Sequence, residues 1–295
     1  MTVDLAVATP TFLDLTFVGL EGLPAPGQER FAADLVRSPG GGAITAVGAS
    51  RLGLRTALAA PLGEDEAGDY VRAALAAEGV AVGDRRCPRT PATVVMPVDG
   101  DRAMVTVDPG VRASAADVAA LAPRAVALSL DQLYIVPAGA YAYVTCGDDD
   151  ARAFARRPPA KLAGARALFV SKREALVLTE AADVEAAAEI LGRSAERVIV
   201  TLGEQGALSR VGGQTLHVPG ITATALDTTG AGDLLVAAYI WGDLRGATPE
   251  ESLRFAVIYA GLSIGTPTGV GGAVSEARLL EEGAQRGLAA PRSHA

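Results

Sequence analysis

The chain has 295 residues, 49% of them hydrophobic, which is enough to bury the core of one large α/β domain or of two smaller ones. Its formal net charge of -8 argues against a nucleic-acid groove, and no apolar run approaches the roughly 18 residues of a membrane span. There is no basic signal segment, and two cysteines with two histidines are too few for a disulfide framework, a zinc site or a histidine triad, so we expect a cytoplasmic protein without nucleic-acid or membrane partners.

The first forty residues are predicted to form strands. Residues 3–8 have the pattern of a buried strand, and residues 12–18 that of an alternating strand that carries Asp14 among apolar neighbours. An isolated aspartate there is as consistent with a turn or a strand edge as with a binding group.

A glycine run at 40–42 opens a predicted helix that ends near Leu52, with Gly53 just beyond its end. The run lacks the Lys-Ser/Thr pair of a Walker A loop and the spacing of a dinucleotide-binding fingerprint. By itself it indicates a tight turn.

Residues 93–98 and 102–107 are predicted strands on either side of Asp99-Gly100, a strong hairpin signal. This hairpin is either an ordinary sheet edge or a lid over a site, and the pattern does not separate the two. Further along, Asp148, Asp149 and Asp150 fit a solvated helix start better than a metal site.

Two later segments end strands in polar or glycine-rich turns. Residues 167–170 form a predicted buried strand that leads to Ser171 and Glu174. Residues 197–207 have the pattern strand, glycine turn, strand, with Thr201, Gly203 and Gly206 around the turn. Taken alone, the second segment indicates a hairpin.

The segment at 227–233, of sequence DTTGAGD, lies between a predicted strand end at 221–226 and a predicted buried helix at 234–241. The first N–H groups of a helix have no intrahelical acceptor and carry positive potential, so they attract phosphate. Gly230, Ala231 and Gly232 are small enough to let an anion approach the backbone.

Asp233 puts a carboxylate beside this anion pocket, where it would repel a resting phosphate. Its presence suggests a base that takes a proton from a hydroxyl group while the pocket holds the charge on a transferring phosphoryl group. For a lone aspartate at a helix start an N-cap is the simpler explanation, so the assignment depends on the whole segment.

The DTTGAGD segment resembles, at every position, the C-terminal signature of the ribokinase-like (PfkB) carbohydrate kinases. The glycine run with ASRLG at 49–53 and PLGED at 61–65 resembles the N-terminal signature of the same family. The alternation of strands and helices independently predicts a mostly parallel α/β sheet with helices on both faces. The resemblance implies one ribokinase-like domain over 1–295, with lid segments near residues 12–36 and 90–108.

The resemblance also implies the residues that act on the acceptor and the phosphoryl group. In this family the last aspartate of the signature is the catalytic base, and the backbone before it is the anion hole. This implies Asp233 as base and Gly230, Ala231 and Gly232 as anion hole. The acceptor site is then built from Asp14, Gly41, Gly42 and Thr45.

On the nucleotide side, the resemblance implies four ATP-binding residues: Ser171, Thr201, Gly203 and Gly206. It further implies Glu174 as a Mg²⁺ residue acting through water. Asp227 and Thr229 are implied as ligands of a monovalent cation, K⁺.

Two positions depart from the family pattern. The family has an Asn a few residues after the glycines, where this chain has Ile44 followed by Thr45. The family has Asn-x-x-Glu where this chain has Ser171 and Glu174. The first change leaves the identity of the substrate open.

The resemblance implies an ATP- and Mg²⁺-dependent phosphotransferase that transfers the γ-phosphate to a hydroxyl of a small sugar or sugar acid. Two alternatives stay open: an adenosine-like nucleoside kinase, and a non-catalytic homologue that binds sugar or nucleotide. In this family the lid sheet often pairs between subunits, which implies a homodimer through the lid.

Overall fold

The computed structural model describes residues 2–98, 101–155, 162, 164–224 and 226–292. Its strands are, in chain order, β1 (Leu5–Val7), β2 (Thr11–Val18), β3 (Asp34–Gly41), β4 (Thr56–Leu58), β5 (Leu62–Gly63), β6 (Ala81–Val82), β7 (Arg86–Cys87), β8 (Ala92–Val98), β9 (Asp101–Val107), β10 (Ala125–Ser129), β11 (Tyr141–Thr145), β12 (Ala165–Ser171), β13 (Arg197–Thr201), β14 (Ala207–Val211) and β15 (Gln214–Val218). Its α-helices are α1 (Gly42–Arg51), α2 (Glu66–Ala77), α3 (Ala115–Ala120), α4 (Asp148–Ala153), α5 (Lys172–Thr179), α6 (Val184–Leu191), α7 (Ala231–Leu244), α8 (Pro249–Ser263), α9 (Gly269–Gly272) and α10 (Glu276–Gln285).

A nine-stranded sheet has the order β15-β14-β13-β12-β11-β10-β1-β4-β6. Its strands are parallel from β6 to β13, and β14 and β15 add antiparallel strands at one edge. Alternate side chains of the short apolar strands enter two cores: α1, α2, α7, α8 and α10 cover one face, and α3 to α6 cover the other. The predicted mostly parallel sheet with helices on both faces is therefore present.

A separate four-stranded sheet has the order β3-β2-β8-β9. The antiparallel pairing predicted for β8 and β9 is present, although its Asp99-Gly100 turn lies outside the described residues. In register, Asp14 on β2 faces Ser38 on β3 and Thr93 on β8. We call this four-stranded sheet the lid sheet.

The predicted helix start at 148–150 is also present, as the first turn of α4. Asp148 forms ion pairs with Arg152 and Arg173. In the part of the chain that the structure describes, no three His, Cys, Asp or Glu side chains cluster as a metal site. Within the same residues, no helix combines the length and the apolarity needed to cross a bilayer.

One predicted element is wrong. Residues 221–226 were expected to end a strand, but β15 ends at Val218, and residues 221–224 have no regular structure. Pro219 and Gly220 interrupt the strand. Ile221 then turns towards α8 and packs on Gly261. The contact is so close that a Cβ atom on Gly261 would overlap the Ile221 side chain.

Helix α7 is buried at every position from 234 to 244, as its apolar sequence predicts, and it packs between α1 and α8. Near its C-terminal end Asp243 lies in a buried cluster. Its carboxylate accepts hydrogen bonds from Arg166 (2.6 Å), Arg197 (2.8 Å) and the Tyr143 hydroxyl. Burial by itself raises the pKa of Asp243, but these hydrogen bonds outweigh it and hold the pKa below its ordinary value.

We expect Asp243→Asn to lower the free energy of unfolding by about 3 kcal/mol at pH 7, because it removes the buried counter-ion of Arg197 and Arg166 and leaves them only the exposed Glu196 carboxylate. A carboxyl group with a lowered folded-state pKa stabilises the fold above its unfolded pKa and loses this contribution as the pH falls. The difference between wild type and variant should therefore shrink in acid. Urea unfolding checks this, with the exposed Asp84→Asn as control; equal losses in both variants would contradict it.

Candidate active site

The N-terminus of α7 is built from nearly bare backbone. Gly230 is its N-cap, with φ +78°. A Cβ atom there would lie 2.7 Å from Gly269 Cα, so only glycine fits. Among the residues that the structure describes, a Cβ atom on Gly232 would meet no atom within 4 Å beyond its chain neighbours and its own helix turn, which leaves open space on that side of the first turn. The Ala231 N–H donates to the Thr228 carbonyl (3.3 Å).

Asp233 is the third residue of α7, and its carboxyl group has a pKa raised to about 7. The main cause is desolvation, because protein atoms enclose the carboxyl group although the residue keeps some exposure to solvent. The charge of Asp14 raises this pKa further, whereas the charge of Arg102 lowers it. A carboxyl group with a pKa near neutrality is suited to accept a proton at physiological pH.

Asp14 is 7% exposed, and it projects from the middle of β2 onto Gly40. A Cβ atom on Gly40 would overlap the Asp14 carboxylate, so the glycine is needed for this contact. Burial raises the pKa of Asp14 to about 6, and the charge of Arg102 partly offsets that rise. The carboxyl groups of Asp14 and Asp233 are 219 positions apart in the sequence, and the fold brings them close enough to interact.

Arg102 on β9 is a member of this group that the sequence analysis missed. Its Nη1 donates to Thr228 Oγ1 (3.4 Å), which links the lid sheet to the loop before α7. Its positive charge lowers the pKa of both Asp14 and Asp233. Thr106 on β9 is paired with Thr93 on β8, and Thr93 is paired with Asp14 on β2. Alternation along β9 puts Arg102 on the same face of the sheet as Thr106, and this alternation is the sequence signal that could have identified Arg102.

The glycine run joins the lid sheet to α1. Gly41 ends β3 with φ +58°, and Gly42 begins α1. Thr45, on the first turn of α1, is 2% exposed, and its Oγ1 donates to the Asp233 carbonyl oxygen (3.3 Å). The structure therefore gives Thr45 a contact with the backbone of α7.

Ser171 and Glu174 form a capping box at the start of α5. The Ser171 N–H donates to Glu174 Oε2 (2.7 Å), and the Glu174 N–H donates to Ser171 Oγ (3.2 Å). Burial raises the pKa of Glu174 although these hydrogen bonds lower it, and its charge in turn raises the pKa of Asp233. Glu174 is thus electrostatically coupled to the N-terminus of α7.

Ser171 and Thr201 lie side by side at the carboxyl ends of β12 and β13. The carboxyl edge of a parallel sheet is where α/β proteins bind ligands. A 3-10 turn (Gly203–Gln205) follows Thr201, with φ +63° at Gly203 and φ +89° at Gly206. The predicted strand, glycine turn and strand are present here.

Asp227 holds the loop that leads into α7. Its Oδ1 accepts the Thr229 N–H and its Oδ2 accepts the Thr268 N–H, both at 2.8 Å. Thr268 has φ +66°, a strained conformation for a β-branched residue. Both carboxylate oxygens of the predicted cation ligand Asp227 therefore have a structural role in tying two loops together.

A cavity of about 480 Å³ lies between β15 and α8. Its walls are mostly apolar and include Ile221, Val257 and Ile258. The turn at 203–206 packs directly behind it, since a Cβ atom on Gly206 would overlap the Val218 carbonyl oxygen. The sequence analysis missed this cavity, because its residues have the pattern of ordinary core.

A model of the pfkB family carbohydrate kinases matches residues 19–123 and 133–273. The chain is 40% identical to a ribokinase of Lactococcus lactis subsp. lactis (strain IL1403) over 76 residues, which are 26% of this chain and 25% of that enzyme. The alignments with this ribokinase, with a 1-phosphofructokinase of Vibrio cholerae and with a deoxyribokinase of Salmonella typhi span only 25% to 30% of the length of those proteins.

Two solved structures superpose on nearly the whole chain. An adenosine kinase from Sinorhizobium meliloti gives a TM-score of 0.80 at 22% identity and covers 96% of this chain and 99% of its own. A ribokinase from Thermotoga maritima gives a TM-score of 0.81 at 19% identity, and the superposition covers 95% of this chain and 98% of that enzyme. At these identities the likeness concerns the fold alone, and it confirms the ribokinase-like α/β fold predicted from the sequence.

The family model covers most of the chain, and the residues it spans include Asp227 to Asp233, where the glycine loop and the raised-pKa carboxyl group meet. The sequence predicted this family and its enzyme class, phosphotransferases with an alcohol group as acceptor, and the family is confirmed. The chain belongs to the pfkB family of carbohydrate kinases.

Proposed function

We propose that the protein is an ATP-dependent kinase that transfers the γ-phosphate to a hydroxyl group of a small sugar or sugar acid. The observation that carries the proposal is the Asp233 carboxyl group, with a pKa of about 7, on the first turn of α7 beside the glycines of its N-terminus. A base and an anion-binding backbone at one helix end are what phosphoryl transfer to an alcohol requires.

Asp233 accepts the proton of the attacking hydroxyl group. The backbone N–H groups at Gly230, Ala231 and Gly232, with the positive end of the α7 dipole, stabilise the negative charge that develops on the transferring phosphoryl group. The Ala231 N–H does so by exchanging its 3.3 Å hydrogen bond with the Thr228 carbonyl for one to a phosphoryl oxygen. Arg102 adds a positive charge from the lid side, where its contact with Thr228 supports a position next to this path. It also offsets the repulsion between Asp14 and Asp233.

The acceptor lies between the lid sheet and α1 in this proposal. Asp14 receives hydrogen bonds from other hydroxyl groups of the acceptor, and the backbone at Gly41 and Gly42 packs against it. The burial of Asp14, which lies on β2 of the lid sheet, supports a site from which water is excluded. Excluding water matters because water competes with the acceptor hydroxyl for the phosphoryl group.

The nucleotide lies along the carboxyl edge of β12 and β13, next to Ser171, Thr201, Gly203 and Gly206. The cavity between β15 and α8 receives its base, since the cavity is apolar and adjoins the turn at 203–206.

Mg²⁺ bound with the triphosphate neutralises its charge. The protein offers this ion the half-buried Glu174 carboxylate, of which Oε2 already accepts a hydrogen bond from the Ser171 N–H. That arrangement fits an ion held mainly by phosphate oxygens and water, with Glu174 acting through water. A K⁺ ion at Asp227 and Thr229 requires other oxygens of the same two loops, because the Asp227 oxygens already bind backbone N–H groups.

A nucleoside kinase is the second candidate. Met104 lies on the same face of the lid sheet as Arg102 and Thr106, and it is 56% exposed. An exposed apolar side chain over the acceptor site would suit a nucleobase better than a small sugar. The other face of the lid sheet exposes Leu35, Val105 and Val107, which supports a homodimer through the lid.

Asp233→Asn tests the catalytic role. We expect the variant to keep its thermal stability and its Mg-ATP affinity, and to lose about 10² to 10⁴ in kcat because the base is gone. ADP release from Mg-ATP is measured across sugars, sugar acids, polyols and nucleosides, with and without K⁺. Asp84→Asn is the matched control, an exposed aspartate far from the site in sequence. Near-normal turnover by Asp233→Asn would refute the assignment.

The pH profile tests the electrostatics of the same group. With a pKa of about 7, Asp233 is protonated and inactive as a base in acid, so kcat should rise through pH 7 to a plateau. Arg102→Gln removes a positive charge that favours the carboxylate, and this should move the acid limb to higher pH. Arg102→Lys keeps the charge and should keep the limb near its wild-type position. An unchanged limb in Arg102→Gln would contradict the coupling.

A further inference from the structure

The first turn of α1 contacts the first turn of α7 through two consecutive residues. Thr45 donates to the Asp233 carbonyl, and Ile44, 2% exposed, packs against the glycines on either side of the junction. A Cβ atom on Gly230 would lie 2.9 Å from Ile44 Cδ1 and 3.0 Å from Ile44 Cγ2, and one on Gly269 would overlap Ile44 Cδ1, the atom that contacts both glycines. The Cδ1 methyl of Ile44 therefore fills the space where the loop before α7 meets α9.

This packing matters because Gly230 has no side chain of its own to hold it. Glycine can change its φ well away from +78° at little cost. The contacts around Gly230 therefore set its conformation and, with it, the direction of the adjacent N–H groups. Asp227 ties the loop to Thr268 by hydrogen bonds on one side. Ile44 supports the loop by van der Waals contact on the other.

Helix α1 also reaches the acceptor side. It begins at Gly42, directly after the strand in which Gly40 packs against Asp14, and its residues from 42 to 49 are buried. A buried helix in a close-packed core moves as a unit. Its first turn is thus a rigid connection between the proposed acceptor site and the proposed anion hole.

We propose that Ile44 is a positioning residue, whose Cδ1 methyl holds Gly230 so that the N–H groups of the anion hole point at the transferring phosphoryl group. The inference rests on the proposed kinase function. Position 44 stood out in the sequence as a departure in the neighbourhood of the acceptor. In the structure its side chain packs against Gly230 and Gly269, which explains why an apolar residue is suited to this position.

Ile44→Val removes the Cδ1 methyl and tests the proposal. Ile135→Val is the matched control, because it deletes the same methyl from a residue that is 1% exposed and belongs to the core on the other face of the sheet. Two readouts are compared: kcat with KM for both substrates, and the gain in affinity of Mg-AMP-PNP over Mg-ADP, measured by calorimetry. The second readout isolates the γ-phosphate and needs no acceptor.

For Ile44→Val we expect kcat to fall about tenfold with little change in KM. This fall is smaller than the factor of about 10² to 10³ by which kcat falls when a whole oxyanion-hole donor is removed. We also expect a smaller affinity gain from the γ-phosphate. Ile135→Val should lose similar thermal stability and keep both readouts, and Ile44→Leu, which retains a δ-methyl group, should recover part of each. A wild-type affinity gain in Ile44→Val would overturn the proposal. Nucleotide binding by wild type without turnover on any acceptor would count against the kinase function alone.

Discussion

The structure depends on one constraint at the N-terminus of α7: the first turn must present bare backbone and also carry a buried carboxyl group. Gly230 satisfies the first requirement with a positive φ and a contact with Gly269 that excludes any side chain. Asp233 satisfies the second, at the cost of a pKa raised by burial. Because the rest of α7 is buried on all sides, this helix end has one fixed position. The other groups are placed relative to it.

In the proposed function an acidic chain binds an acidic nucleotide, and the charges around this helix end are the groups that would make such binding possible. The net charge of -8 provides no long-range attraction for a nucleotide, so attraction has to be local. Backbone N–H groups and the helix dipole supply part of it, and Arg102 supplies a full positive charge from the lid sheet. The raised pKa values of Asp14 and Asp233 further reduce the negative charge that the site presents near neutral pH.

Several groups of the site have a second, structural role. Ser171 and Glu174 cap α5, Asp227 ties two loops together, and Thr45 contacts the backbone of α7. At the far end of α7, the buried cluster around Asp243 fixes the helix against β11, β12 and β13. Such double use explains how a site assembled from a lid sheet, a strand edge and two helix ends can keep a single geometry, since each part is held by contacts that also hold the fold.

The sequence by itself determined the fold class, the buried helix α7 and the family, because these depend on local signals: apolar periodicity, capping residues and a contiguous glycine motif. It also supplied most of the residues of the proposed site, which remain predictions, because motifs mark strand and helix ends. The tertiary structure alone decided that Arg102 approaches Asp14 and Asp233, that Ile44 packs on Gly230 and Gly269, and that Ile221 turns away to line a cavity. Each of these contacts joins segments far apart in the chain. Alternation along β9 predicts the sheet face on which Arg102 lies, but a single sequence does not show which distant side chains that face meets.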